Sequence, residues 1–212
     1  MHLVNPYISF PAVGGGGTTP FADDFDDNSI DPALWEIAPY TNGASQTGVT
    51  VSETSQHLEI TPPASTSGTH YNSLLSVPSM DFRGKTLEVD IVQYLNNTTE
   101  SAIQIEDAAD PGGKYVYTYF SFGAVYWQTE PTNSFTNDTL NKSITKWRIK
   151  HNDPANTWEF SSYLSGVWTV QFTSAAESWT PSAVKFRLWA GTFQSTTPGQ
   201  FILDNVSSDA LY

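Results

Sequence analysis

Cysteine is absent, and lysine and arginine together number 9 against 22 aspartates and glutamates in 212 residues. Without cysteine there is neither a disulfide framework nor a thiolate metal site, so packing alone must hold the chain together. The formal net charge of -13 repels polyanions over most of the surface and argues against nucleic-acid binding. No hydrophobic run approaches the length of a membrane span. The opening "MHLVNPYISFPAVGGGGTTP" has no basic start, is broken by Pro6 and Pro11, and does not read as a signal peptide. A protein of this kind acting outside a cell would be released by another route, such as lysis. His2, His57, His70 and His151 include no two at a metal-ligand spacing. Neither a phosphate-binding glycine loop nor a Gly-x-Ser-x-Gly elbow is present, which disfavours nucleotide chemistry and acyl transfer.

Aromatic side chains, by contrast, are plentiful: 7 Trp, 10 Tyr and 12 Phe. Residues 1–20 read as a short extended arm. Within it Val4, Pro6, Tyr7, Ile8 and Phe10 form an apolar peptide suited to docking on a partner, and Gly14 to Gly17 form a flexible tether. From residue 21 to residue 212 the pattern is short, alternating and interrupted by turn residues, with almost no helical periodicity. "TLEVDIVQYL" places Leu87, Val89 and Ile91 on one face and Glu88, Asp90 and Val92 on the other. "VKFRLWAG" sets Val184, Phe186 and Leu188 against Lys185, Arg187 and Trp189 in the same way. About a dozen such strands, with no helix to cover a parallel sheet, predict an all-β, two-sheet antiparallel sandwich of jelly-roll type. Trp35, Trp147, Trp158 and Trp168 are expected in its core.

The stretch "FADDFDDNSIDPALW" invites a calcium reading, but an EF-hand loop starting at Asp24 would need Gly at its sixth position and Glu at its twelfth. Those positions hold Ser29 and Trp35. A strand, a turn and a short helical turn capped by Asp31 with Pro32 at its first position account for it better. "KYVYTYFSFGAVYWQTE" aligns Tyr115, Tyr117 and Tyr119 on one face and continues into Tyr126, Trp127 and Gln128. Flat rings that stack on sugar C–H faces, together with amides for hydroxyls, make these six the candidate glycan-binding residues. The alternative is a subunit interface paved with the same rings.

"FADDFDDNSIDPALWEI", "KWRIKHNDPANTWEFSSYLSGVWTV" and "VKFRLWAGTFQSTTPGQFILDNV" together resemble the concanavalin A-like lectin/glucanase jelly rolls, in their laminin-G-like branch. The resemblance implies a sandwich over residues 21–212 and a structural calcium where the first and last strands meet, with Asp24 and Asp204 as its ligands. It also brings "LEVDIVQ" into view, because laminarinase-type hydrolases carry a Glu-x-Asp-x-(x)-Glu strand. Glu88 and Asp90 match that strand, and Gln93 falls at the last acid. An amide cannot serve as the acid/base, so no catalytic residue is assigned and no enzyme is expected. The "NPY" opening followed by a glycine run resembles bacteriophage virion proteins. The expectation is therefore a non-catalytic phage tail, fibre or decoration protein in the virion. It would be held to other virion proteins by its arm, present in many copies or as an oligomer, and turned toward host-surface glycan. A purely structural module and a laminarinase-type glycoside hydrolase are the alternatives.

Overall fold

The computed structural model describes residues 18–38, 48–65, 69–96, 99–193 and 195–212. The expected docking residues Val4, Pro6, Tyr7, Ile8 and Phe10 lie outside them. Among the described residues fifteen strands, numbered in chain order, form two sheets. The first sheet runs β13 (Val167–Thr173), β12 (Thr157–Leu164), β11 (Lys146–Asn152), β6 (Thr86–Gln93), β15 (Phe201–Leu211), β4 (His57–Thr61) and β3 (Thr50–Thr54). An eighth strand, β1 (Pro20–Asp23), is also paired to β15. The second sheet runs β10 (Ser134–Thr139), β9 (Ala124–Glu130), β8 (Tyr115–Ser121), β7 (Thr99–Asp107), β14 (Val184–Phe193), β5 (Thr69–Ser76) and β2 (Trp35–Ala38). Every pairing is antiparallel, and the expected sandwich is the architecture found.

Alternation along the strands builds the core. Leu87, Val89 and Ile91 from β6 meet Val184, Phe186 and Leu188 from β14 in one buried cluster, with Trp35, Trp147 and Trp158 among its largest members. Trp179 is buried there too. Trp168 is not. It lies on the outer surface of the first sheet, where the Arg148 guanidinium sits 3.8 Å over its ring. Strand period alone cannot say which of two faces looks inward when both carry aromatics, as "VWTVQF" does.

Tight connections follow local chemistry. Ser55–Gln56, Phe122–Gly123 and Ser165–Gly166 join neighbouring strands as two-residue loops. All six residues have left-handed backbone, which matches the twist of the strands they connect.

The acidic opening is structural punctuation. Asp23 accepts from the Phe25 N–H at 2.9 Å and from the Trp35 indole at 2.8 Å, Asp27 accepts from the Ser29 N–H at 2.9 Å, and Asp31 from the Ala33 N–H at 2.8 Å. These short bonds fix the turns that deliver Phe21, Phe25 and Trp35 to the core, where Phe21 meets Trp35 edge-on at 4.9 Å.

Burial is the main reason that Asp23 and Glu53 hold their protons above the usual carboxylate range. The nearby Asp27 charge adds to both shifts, and Asp23 adds to that of Glu53. A carboxyl raised on folding contributes stability that is present at low pH and lost as pH rises through its folded value. The melting temperature should therefore climb as pH is lowered from neutral toward the ordinary carboxylate range. Glu53→Gln should raise it at neutral pH and flatten the profile; a variant whose melting profile matches the parent's would remove Glu53 as the source.

Candidate functional site

Chemistry gathers on the outward face of the seven-stranded sheet. Register places Trp189 opposite Ala102 and Ala102 opposite Tyr119, with Tyr126 next in the row. Ala102, fully buried, is small enough for the flanking rings to close over it. Trp189 and Tyr119 approach to 5.6 Å, and Tyr71 meets Trp189 edge-on at 5.5 Å. The aromatic path continues from Tyr119 to Tyr126 at 5.5 Å and from Tyr126 to Phe135 at 5.8 Å. A second line runs along β8, where Tyr115 stacks on Tyr117 at 5.4 Å and Tyr117 meets Tyr119 at 5.6 Å. Two crossing rows of rings thus cover much of one sheet face.

Carboxylates stand among the rings. Glu100 accepts from the Tyr71 hydroxyl, whose ring reaches it by lying across Gly191. Burial and the Glu100 acceptor push the Tyr119 hydroxyl far above the ordinary tyrosine range, so it stays a protonated donor. Glu106 is buried and held by Arg187, with Nε and Nη2 each donating at 2.8 Å, while Gln104 Nε2 donates at 2.8 Å. Arg187 Nη1 also reaches Ser73 Oγ at 2.7 Å, and the Trp189 indole donates to Gln104 at 3.1 Å. Glu130 accepts from Gln128 at 2.7 Å, and Gln128 in turn takes the Tyr117 hydroxyl.

Of the six residues expected to bind glycan, Tyr115, Tyr117, Tyr119, Tyr126 and Gln128 share this outward face. Trp127 does not: it is the alternate residue of β9 and points between the sheets, 2% exposed. The laminarinase-like strand is elsewhere altogether. Glu88 and Asp90 lie on the outer face of the other sheet, paired with Arg148 at 2.6 Å and Lys146 at 2.7 Å, and Gln93 donates to the Gln200 carbonyl at 3.2 Å.

Sequence reading missed Tyr71, Glu100, Gln104, Glu106, Arg187 and Trp189. The available signal was "SAIQIED" itself. Ala102-Ile103-Gln104-Ile105-Glu106 alternates as the Glu-x-Asp-x-Glu strand does and keeps its final acid, with Ala102 and Gln104 at the other two polar positions.

Strands β1 and β15 do pair, as expected, at Ala22 and Ser207. Asp24 accepts the nearby Asp26 N–H at 3.4 Å, and Asp204 is a carboxyl raised chiefly by burial, with the Asn205 N–H and His57 lowering it and the Asp90 and Asp26 charges raising it. Among the described residues no group of three or more His, Asp or Glu side chains is placed to hold a metal ion.

This two-sheet jelly-roll is a fold shared with solved glucanase structures. The chain is similar to a non-specific endo-β-1,3(4)-glucanase from family GH16, with 11% identity over 91% of this chain and 94% of that one and a TM-score of 0.67. It is likewise similar to a laminarinase from Flavobacterium sp. UMI-01, with 10% identity over 91% and 99% and a TM-score of 0.69. A third similar structure is an immunostimulatory antigen and pseudo β-1,3-glucanase of Mycobacterium tuberculosis, with 16% identity over 93% and 100% and a TM-score of 0.61. No protein-family model and no curated protein matches the chain. At such identities the fold is what is shared. These matches correct two expectations, that of a phage tail, fibre or decoration protein and that of a chain without catalysis. The matched structures include endo-glucanases, and the glycoside-hydrolase alternative accords with them better.

Proposed function

We propose that this protein is a glycoside hydrolase that holds a β-glucan chain across the outward face of the seven-stranded sheet. The observation that carries this reading is the convergence there of two crossing rows of aromatic rings with the carboxylates Glu100, Glu106 and Glu130. The rings offer flat apolar surface to sugar C–H faces, and the amides and carboxylates offer partners to hydroxyls. The fold shared with glucanases supports the choice of substrate class.

Glycoside hydrolysis needs two carboxyl groups, one to take a proton from water and one to give a proton to the leaving oxygen. Glu106 and Glu130 lie in one cross-strand row with Tyr115 between them. In this reading Glu130, half-buried, is the carboxyl of that row that exchanges a proton with the substrate, and Glu106, buried with both oxygens bound to Arg187, fixes the strand beneath it.

Release of reducing ends from soluble β-1,3- and β-1,3/1,4-glucans, measured beside binding of the same polymers, tests the reading. The intact protein should bind and release. Glu130→Gln should bind and not release, and Tyr119→Ala should bind about tenfold more weakly through loss of one ring stack. Binding without release by the intact protein would overturn the cleavage, and unchanged binding by Tyr119→Ala would move the substrate off this face.

A further inference from the structure

A second site lies on the open edge of the sandwich, where edge strand β10 of one sheet stands over edge strand β13 of the other. The two sheets do not close completely there. A cavity of ≈ 240 Å³ opens between them, with Trp127 and Trp147 as its floor. Val125, Ile144 and Leu164 add apolar wall. Polar groups come from both sheets: Asp138 and Asn141 from one side, Ser162, Thr169 and Gln171 from the other.

We propose that this cavity binds a single neutral sugar ring, independently of the glucan-holding face. Three observations select that ligand. The volume falls below the roughly 300–1,000 Å³ of pockets that take drug-sized molecules, so it suits one ring rather than a chain. No lysine, arginine or histidine lines it and its one charged group is Asp138, which excludes an anionic ligand. Apolar floor and polar rim together match a pyranose, whose C–H face is apolar and whose hydroxyls form a polar circumference.

The rim is already held in place. Gln171 Nε2 donates to Ser162 Oγ at 2.9 Å and to the Thr169 carbonyl at 3.3 Å, which turns the amide while its oxygen has no donor among the described residues. The Trp147 indole is fixed by the Tyr94 hydroxyl at 2.6 Å, whereas the Trp127 indole N–H has no acceptor among the described residues. Buried donors without partners carry an energetic penalty, and a bound hydroxyl that reached this one would relieve it.

Titration with glucose, galactose and N-acetylglucosamine, followed through the nitrogen-resolved indole signals of the 7 tryptophans, tests the site. The signals of Trp127 and Trp147 should move with at least one of these sugars, and the others should stay. Thr169→Phe, placed at the exposed mouth, should abolish the shifts while the remaining spectrum keeps its native dispersion. Tyr119→Ala, on the far outward face, should leave them unchanged even though it weakens glucan binding, so failure of either site is read separately. Indole signals that none of the three sugars moves, or that move equally in Thr169→Phe, would overturn the proposal.

Discussion

Arg187→Met should lower the melting temperature by about 10 °C, because it leaves the Glu106 carboxylate buried without its cation. The two side chains are only 8% and 3% exposed, and both Glu106 oxygens are committed to the guanidinium. Breaking such a pair from one side costs about 3–5 kcal/mol, and each kcal/mol moves the midpoint of a chain this size by about 2–4 °C. The same argument says that the pair is not worth that much as a pair. Desolvation of both ions offsets most of their attraction, so Arg187→Met combined with Glu106→Met should recover much of the lost stability. Thermal and urea unfolding of both single variants and the double variant measure the coupling. Additive losses would mean that the bidentate geometry contributes nothing.

Gly191→Ala should disable the outward face by a steric route. A Cβ at residue 191 would stand 1.8 Å from Tyr71 Cδ1 and 2.6 Å from the His70 carbonyl oxygen. The first contact obliges the ring to leave; the second is with backbone and yields less readily. Displaced, Tyr71 loses both its edge-on contact with Trp189 and its hydroxyl bond to Glu100. Overpacking of this kind costs about 1–3 kcal/mol. The larger consequence is for polysaccharide, since the wall formed by Tyr71 and Trp189 comes apart, and binding should fall well beyond the tenfold expected for Tyr119→Ala. Gly191→Ala combined with Tyr71→Ala removes the clash with the ring and leaves only the backbone contact with the His70 carbonyl. It should regain part of the lost stability without regaining binding, a split that a generally misfolded variant would not show.

The two variants act at opposite ends of one surface, and comparing them shows what that surface requires. At the Glu106 end, charge is neutralised inside a closed hydrogen-bond network running from Gln104 through Arg187 to Ser73. At the Glu100 end, small residues let large ones meet: Ala102 under Trp189 and Tyr119, and Gly191 under Tyr71. Strand β7 carries both ends, with Glu100, Ala102, Gln104 and Glu106 in sequence on its outward side.

How much of this was legible beforehand depends on which interaction decides. Faces were legible, since period two assigns Tyr115, Tyr117 and Tyr119 to one side of β8, and the structure keeps them there. The turn at Asp31 was legible, since its carboxylate acts through a bond only two positions away, from the Ala33 N–H. Trp127 was misplaced because a Tyr-Trp-Gln run offers good glycan-binding chemistry at every position, and only strict alternation along β9 separates Trp127 from its neighbours. The "LEVDIVQ" strand drew attention through its acids, yet Arg148 and Lys146, 60 and 56 residues further along the chain, occupy them.

By itself, the sequence determined that this chain folds as all-β and which residues share a strand face, because alternation and turn chemistry are local properties. Only the tertiary structure decided that β7 lies between β8 and β14, with β5 beyond, and so brought Glu106 to Arg187 and Tyr71 to Glu100. Those partners are 81 and 29 residues apart. Which strand lies beside which is settled by how the two sheets fill their common core, and no stretch of sequence short enough to show a period carries that information.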